Sequence, residues 1–244
     1  MGELITVLSG KGGTGKTTLC AGIASALALS GEKVLCIDCD IGLRNLDIAL
    51  GMSEENALSF LEVCRDGYGL QMATQHISFP NLYFLTAPVR ASAQDIDHES
   101  FLQMLRRARE EFSYIFLDAP AGLDAGFDLA AKYADRAILV TGADPAAVRD
   151  AARAGEVLEL MGKTDVRLIV NRVSKKVVSF MNWTVDDIMD SAGLPLLGVV
   201  PEDGNVLLAA AFRIPLLTYT RKGASAACKR IARRLQGHTV KIKI

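Results

Sequence analysis

Nine residues near the amino terminus have the types and spacing needed to hold a chain of phosphates. They are Gly10, Lys11, Gly12, Gly13, Thr14, Gly15, Lys16, Thr17 and Thr18. They satisfy G-x-x-x-x-G-K-[ST], with an apolar run before them and an Ala- and Leu-rich helical pattern after them, as this motif requires. The glycines let the backbone N–H groups surround an anion, Lys16 brings charge to the β- and γ-phosphates, and Thr17 offers a hydroxyl to Mg²⁺. The sequence therefore predicts a nucleotide-binding loop.

Three carboxylates at or just beyond predicted strand ends supply a second set of candidates. Asp118 closes an apolar run and, with Asp38 on a neighbouring strand, is predicted to orient waters on Mg²⁺. Asp40, one step further into its loop, is placed to orient or deprotonate an attacking water near the γ-phosphate. The alternative is that they are ordinary turn acids, which becomes weaker when all three accompany a phosphate loop.

Alternating elements are predicted to position these groups. Hydrophobic patterns indicate strands over residues 4–8, 34–37, 82–85, 114–117, 137–141, 167–170 and 196–200, and helices over 19–29, 58–64, 97–111, 145–160, 185–192 and 224–235. Apolar strands alternating with helices predict an α/β fold with a doubly wound, mostly parallel sheet and helices on both faces. We expect one P-loop NTPase domain over 1–237 and a short tail, 238–244, whose alternating end resembles an edge strand.

The composition excludes several classes of protein. Half of the 244 residues are apolar, yet no stretch is long enough for a membrane span, and we expect a cytoplasmic protein. Lys and Arg total 27 against 28 Asp and Glu, so overall charge makes no case for nucleic acid binding. The odd count of five cysteines favours reduced thiols. Cys36 and Cys39 have redox or metal spacing, but no second pair follows, and the three histidines show no ligand spacing.

A second lysine in the phosphate loop carries a family resemblance. Residues 11–18 resemble the deviant Walker A loop of the ATPase family that contains MinD, ParA and the nitrogenase iron protein. The resemblance implies ATP as the nucleotide and a homodimer in the ATP state, in which Lys11 reaches the partner's ATP. Lys11, Lys16 and Asp40 are then the expected catalytic residues of a slow, Mg²⁺-dependent ATPase.

Two segments resemble the nucleotide switches of the MinD branch of that family. Residues 38–47 are similar to the first switch, where partition ATPases usually have Asp-Pro-Gln, and residues 117–122 are similar to the second. The expected switch residues are Asp40, Gly42, Asn45, Asp47, Ala119, Pro120 and Gly122. Residues 148–151 resemble a partner-binding helix start in that branch, and a plain solvated helix face explains them equally well.

The resemblance extends to two loops that hold the adenine. Asn171 ends a predicted strand and carries an amide that can both donate and accept, as a purine edge requires. Arg172 follows it, and Pro201, Glu202 and Asp203 follow the next strand. An asparagine at a strand end is often only a turn residue, so this assignment depends on the resemblance.

The function implied by the resemblance is an ATP-dependent switch that helps to place the division septum through a Min-type activator or inhibitor. A ParA-like partition ATPase is the alternative, with a basic patch for DNA at Arg221, Lys222, Lys229, Arg230, Arg233 and Arg234. A flagellar-number regulator is another. The last predicted helix resembles the family's final structural helix, and the amphipathic membrane helix typical of the MinD branch is not found after it. Peripheral contact with the inner face of the plasma membrane stays open.

Overall fold

A single eight-stranded sheet organises the computed structural model, which describes residues 1–65, 69–91, 93–174, 180 and 183–243. The strands are β1 Glu3–Leu8, β2 Val34–Asp38, β3 Thr74–Gln75, β4 Leu82–Leu85, β5 Tyr114–Asp118, β6 Arg136–Thr141, β7 Val166–Val173 and β8 Leu196–Pro201. Their order is β3-β4-β2-β5-β1-β6-β7-β8. Only the short β3 pairs in the antiparallel direction.

Helices cover both faces of this sheet. They are α1 Lys16–Leu29, α2 Leu46–Leu50, α3 Phe60–Arg65, α4 His98–Glu111, α5 Ala125–Lys132, α6 Pro145–Leu160, α7 Val185–Ala192, α8 Asn205–Ala211, α9 Leu216–Tyr219 and α10 Gly223–Leu235. One hydrophobic core lies between one face of the sheet and the helices α3, α4, α5, α6 and α7. The other lies between the opposite face and the helices α1, α2, α8, α9 and α10. The predicted doubly wound α/β fold is confirmed.

The strand order explains where a ligand belongs. β1 lies in the middle of the sheet between β5 and β6, and the chain winds away from it in both directions. In open α/β sheets, ligands bind outside the carboxyl ends of the strands at the point where the winding reverses. The phosphate loop leaves the carboxyl end of β1, so the fold places it at that point.

The prediction of a strand at the carboxyl terminus is wrong for the described residues. Residues 239–243 adopt no strand conformation, and residue 244 lies outside the described part of the chain. The Arg234 guanidinium donates to the Val240 carbonyl oxygen at 2.9 and 3.1 Å, and Arg230 donates to that of Lys243 at 3.3 Å. These side chains take up backbone acceptors of the tail, so the segment lies along α10 instead of extending the sheet.

α10 is a core helix, as predicted. Ala224, Cys228, Ile231 and Leu235 are buried on its inner face, and the helix packs against α1 and β8. Arg234 also donates to the Leu197 carbonyl oxygen at 2.9 Å, which ties the basic face to the sheet edge. Within the described ranges, no helix has the length and apolar character needed to cross a bilayer.

Candidate nucleotide site

The phosphate loop depends on glycine at two of its positions. Gly15 caps the start of α1 with a φ of 93°, in the left-handed region that side chains disfavour. Gly10 lies against α6, where an added Cβ would come within 2.3 Å of the Asp150 carbonyl oxygen. The loop is therefore packed between α6 and the start of α1, and the amino-terminal end of that helix faces a ligand in the loop.

Lys16 is held in the interior beside carboxylates. Its side chain is only 7% exposed, and burial lowers its pKa, while the negative charges of Asp118 and Asp40 oppose that shift. A buried ammonium group is poorly solvated, so a further negative charge placed beside it stabilises its charged form. The surroundings of Lys16 therefore favour the binding of a phosphate group.

Asp38 and Asp118 lie side by side at the carboxyl ends of β2 and β5. Their Cα atoms are register partners, and both residues are buried. Burial, with the neighbouring charge of Asp38, raises the pKa of Asp118 to about 8, and burial raises the pKa of Asp38 to about 6. Near neutral pH, the apo site therefore favours a protonated Asp118.

Asp118 and Thr17 also fit a metal ion. The Thr17 hydroxyl hydrogen-bonds the Asp118 carboxylate, and the Asp118 Oδ1 atom is buried without a hydrogen-bond partner. An unpaired buried carboxylate oxygen beside a hydroxyl suits a hard cation that prefers oxygen ligands. No three His, Cys, Asp or Glu side chains in the described ranges could form a metal site. Magnesium would therefore need nucleotide phosphates and water as further ligands.

The first predicted switch segment is anchored by Asp38. Its carboxylate accepts from the Asp40 backbone N–H at 2.9 Å and from the Leu46 N–H at 3.2 Å, so one side chain holds both ends of the loop between them. Asp40 is partly buried, and burial raises its pKa against the pull of Lys16. Gly42 and Asn45 are exposed, and Asp47 accepts from the Ile48 N–H at 2.7 Å.

The second predicted switch segment is hydrogen-bonded to β1 and its loop. The Ala119 N–H donates to the Val7 carbonyl oxygen at 3.2 Å, and the Gly122 N–H donates to that of Ser9 at 3.3 Å. Pro120 packs against Gly126 at the start of α5. The second predicted switch segment therefore borders the phosphate loop.

The base end of the site begins at Asn171. Its buried side-chain amide donates to the Thr14 carbonyl oxygen at 2.7 Å, which links the end of β7 to the phosphate loop. Arg172 is exposed with a positive φ of 55°. A cavity of about 240 Å³ lies between these residues and the 201–204 loop, lined by Gly15, Thr18, Val206 and Leu216. It lies beside the phosphate loop, where the adenine is expected.

Asp203 has a structural role in addition to its place in the cavity wall. Its Oδ1 atom accepts from the Asn205 backbone and side-chain amides at 3.0 and 2.7 Å, and its Oδ2 atom accepts from the Ala224 N–H at 2.9 Å. These bonds hold the pKa of Asp203 below its usual value despite some burial. Pro201 and Glu202 line the same cavity, Glu202 with an exposed side chain. Adenine contact by this loop stays a prediction.

A third wall of the site was absent from the sequence-based prediction. Gly142, Ala143 and Asp144 follow β6 and line a cavity of about 360 Å³ with the exposed Lys11. Asp144 caps α6 by accepting from the Ala147 N–H at 3.0 Å. The Asp-Pro pair that opens α6 is a helix-start signal, so this wall could have been placed from the sequence.

The cysteine pair lies in the interior. Cys36 and Cys39 are free thiols, both buried, and burial raises the pKa of the Cys39 thiol well above its ordinary value. A buried neutral thiol is a poor nucleophile. Both residues belong to the buried cores on the two faces of the sheet.

Comparison with known proteins places this site in context. The family model described as "CobQ/CobB/MinD/ParA nucleotide binding domain" matches residues 5–216. The chain is 37% identical over 243 residues to the septum site-determining protein MinD of Synechocystis, covering 98% of this chain and 91% of that protein.

Solved structures give the same result. The MinC:MinD cell division protein complex of Aquifex aeolicus superimposes with a TM-score of 0.91 at 34% identity, over 99% of this chain and 98% of that one. The septum site-determining protein MinD of Pyrococcus horikoshii, solved with Mg-ADP, gives a TM-score of 0.80 at 28% identity over 96% of each chain.

Proposed function

The chain belongs to the CobQ/CobB/MinD/ParA nucleotide-binding family, and from this premise we propose that it is an ATP-hydrolysing, dimerising switch that helps to place the cell-division septum. The observation that carries the nucleotide half of the proposal is the group formed by Lys16, Thr17 and Asp118. It combines a buried cation, a hydroxyl and a carboxylate oxygen without a partner. The septum half is supported by the full-length similarity to MinD proteins.

In the proposed reaction, the chain contributes position and charge. Lys16 balances the β- and γ-phosphates, and the loop N–H groups and the start of α1 surround them. Thr17 and Asp118 would hold Mg²⁺, directly and through water, and that ion would neutralise phosphate charge when bound. Asp38 fixes both ends of the first switch segment. Asp40 is then placed to orient the attacking water and to receive its proton.

The exposure of Lys11 supports the proposed dimer. A lysine in a phosphate loop would ordinarily turn toward its own nucleotide, yet Lys11 is exposed on the wall formed with Gly142 to Asp144. An exposed cation there can meet the phosphates of a facing copy, as the family resemblance implies. We propose that ATP, through both switch segments, stabilises this dimer and that hydrolysis releases it.

A Min-type division inhibitor or activator is the proposed partner. The proposed location is the cytoplasm, and peripheral contact with the inner face of the plasma membrane is what the co-sedimentation below tests. The Aquifex relative was solved as a complex of MinC with MinD, which supports a MinC-type partner. The DNA alternative is less favoured. Arg234 and Arg230 of its basic patch are engaged with carbonyl groups of β8 and the tail.

Phosphate release tests the proposed ATP hydrolysis, and co-sedimentation tests the proposed partner and membrane contact. We expect Mg²⁺-dependent ATP hydrolysis that Lys16→Ala abolishes. A MinC-type protein from the same genome should sediment with the chain on anionic liposomes in ATP and separate from it in ADP. Binding to DNA that weakens steeply with salt, without any binding to the MinC-type protein, would favour the partition alternative.

A further inference from the structure

A second groove lies at the carboxyl end of β4. Its volume is about 590 Å³, and Arg44, Arg65 and Arg90 line it together with Glu62 and Thr86. Within the described ranges it shares no lining residue with the two cavities around the phosphate loop. Because Thr86 directly follows β4, the groove opens at the edge of the sheet where folds of this class bind ligands. We propose that it binds a small oxyanion, of phosphate or carboxylate type.

The charge balance of the groove favours an anion. Arg65 and Arg90 are exposed and form no ion pair with another described residue. Among the described lining residues Glu62 is the one acid, and its carboxylate already accepts from the Ser59 N–H at 2.8 Å and the Ser59 hydroxyl at 2.7 Å. The described lining therefore carries three arginines and one glutamate, whose carboxylate is already hydrogen-bonded. Guanidinium groups bind phosphate and carboxylate through two parallel hydrogen bonds.

Unpaired buried donors give an independent indication. In the described part of the chain, seven buried side-chain nitrogen or oxygen atoms lack a hydrogen-bond partner. Thr14 Oγ1 and Asp118 Oδ1 belong to the nucleotide site, and Arg44 Nε and Thr86 Oγ1 belong to residues that line this groove. The other three belong to Thr6, Trp183 and Ser225, outside both sites. Buried polar groups are normally paired, so an unpaired donor beside a groove marks a place where a ligand or water can supply the missing partner. Arg44 Nε and Thr86 Oγ1 can both donate, which matches an acceptor ligand beside these residues.

The groove also contacts the first switch segment. Arg44 has a positive φ of 47° and lies within the loop whose two ends are fixed by Asp38. An anion held by the Arg44 guanidinium would restrict that loop. If the nucleotide does so as well, each ligand changes the affinity of the other by the same factor. This coupling rests on the proposed function, whereas the anion site itself does not.

The test is a ¹⁵N NMR titration of the full chain saturated with ADP and Mg²⁺, using inorganic phosphate and, separately, citrate at constant ionic strength. Amide signals of residues 59–65 and 86–90 should shift and saturate. The double variant Arg65→Gln, Arg90→Gln should weaken this binding at least about tenfold, since it removes two charge-assisted contacts. Arg153→Gln, at an exposed arginine of α6, is the matched control and should bind as the unmodified chain does.

Each outcome decides the proposal. Saturation by phosphate or by citrate supports it, and the tighter of the two identifies the chemical class. Shifts that do not saturate, that are confined to residues 10–18, or that persist unchanged in the double variant would overturn it. Binding of a fluorescent ADP by the same proteins is measured in parallel. If the unmodified chain binds no ADP, the proposed function fails, while the signals of residues 86–90 still report on the groove.

Discussion

The phosphate end and the base end of the nucleotide site are built on opposite principles. At the phosphate end, Lys16, Asp38 and Asp118 are buried with shifted pKa values, and one oxygen of Asp118 has no partner. At the base end, Asn171 and Asp203 form hydrogen bonds within the protein. A bound ligand can stabilise charged or unpaired groups that the protein itself leaves in an unfavourable state. We therefore assign the chemistry to the phosphate end and a structural role to the residues of the base end.

The largest effect should come from removing the buried cation. Lys16→Ala deletes the charge that faces the phosphates and removes the cation that offsets the negative charge of Asp40. We expect nucleotide affinity to fall at least about 100-fold, which corresponds to the loss of one or two charge-assisted hydrogen bonds. Calorimetric titration with ATP measures it, and circular dichroism checks that the variant is folded. Unchanged affinity would mean that Lys16 does not bind the phosphates.

Asp40→Ala should separate binding from chemistry. The carboxylate is partly buried near Lys16, and it contacts water rather than phosphate in the proposed reaction. Hydrolysis should slow by about 100-fold or more, the usual contribution of a positioned base, with little loss of ATP affinity. Phosphate release measures the rate. Asp128→Ala, at an exposed acid on α5, is the control, and normal hydrolysis by Asp40→Ala would disprove the role given to that residue.

The raised pKa of Asp118 predicts a pH-dependent affinity for Mg²⁺ with ADP. Because its pKa is about 8 in the apo protein, a proton must leave before the carboxylate can serve the cation. Affinity should rise by up to about tenfold per pH unit toward pH 8 and level off above it. Asp118→Asn should remove this slope. A slope that is the same in both proteins would mean that another group titrates.

The same shift sets the stability of the apo protein. The folded state holds a proton on Asp118 up to about pH 8, whereas an unfolded aspartate releases it near its ordinary pKa of 3.8. The folded state therefore binds more protons across that window, and the free energy of unfolding should fall as pH rises from about 4 to about 8. Denaturant titrations at several pH values, with Asp118→Asn as the reference, measure this dependence.

The smallest effect on binding should come from the base end. Asp203→Ala removes acceptors from the Asn205 amides and from the Ala224 N–H, so we expect about 1–3 kcal/mol of lost stability and little change in ADP affinity. Asp128→Ala, at an exposed acid of α5 away from this cavity, should change neither. Thermal unfolding and fluorescent ADP binding are the two measurements. A large loss of affinity without loss of stability would make Asp203 a ligand residue.

The sequence was sufficient for the residues whose role depends on local spacing. The glycine-rich loop, the strand-end acids and helices such as α6 and α7 were predictable because motif, burial pattern and helix caps act within a few residues. The short helices α2, α5, α8 and α9 were missed because pieces of four to eight residues carry little periodic signal and the starts of these four lack a side-chain cap, whereas α7, equally short, has one at Thr184. The two-residue strand β3 is likewise too short to carry a periodic signal.

The remaining differences arise from contacts between distant residues. The tail was predicted as a strand because Val240 and Ile242 alternate with lysines, but Arg234, on a different element, takes up its carbonyl groups. The groove of Arg44, Arg65 and Arg90 brings together residues from three separate segments. The internal bonds of Asp203 likewise depend on the start of α10. No spacing within one segment reveals such arrangements.

The central claim is that ATP makes two copies of this chain associate. Light scattering of Asp40→Ala in ATP and Mg²⁺ tests it most directly, because that variant should hold the nucleotide without turning it over. We predict twice the 26.2 kDa mass of one chain in ATP and a single chain in ADP, with Lys11→Ala in the same background remaining a single chain in both. The same mass in ATP and ADP, with ATP demonstrably bound, would contradict the account.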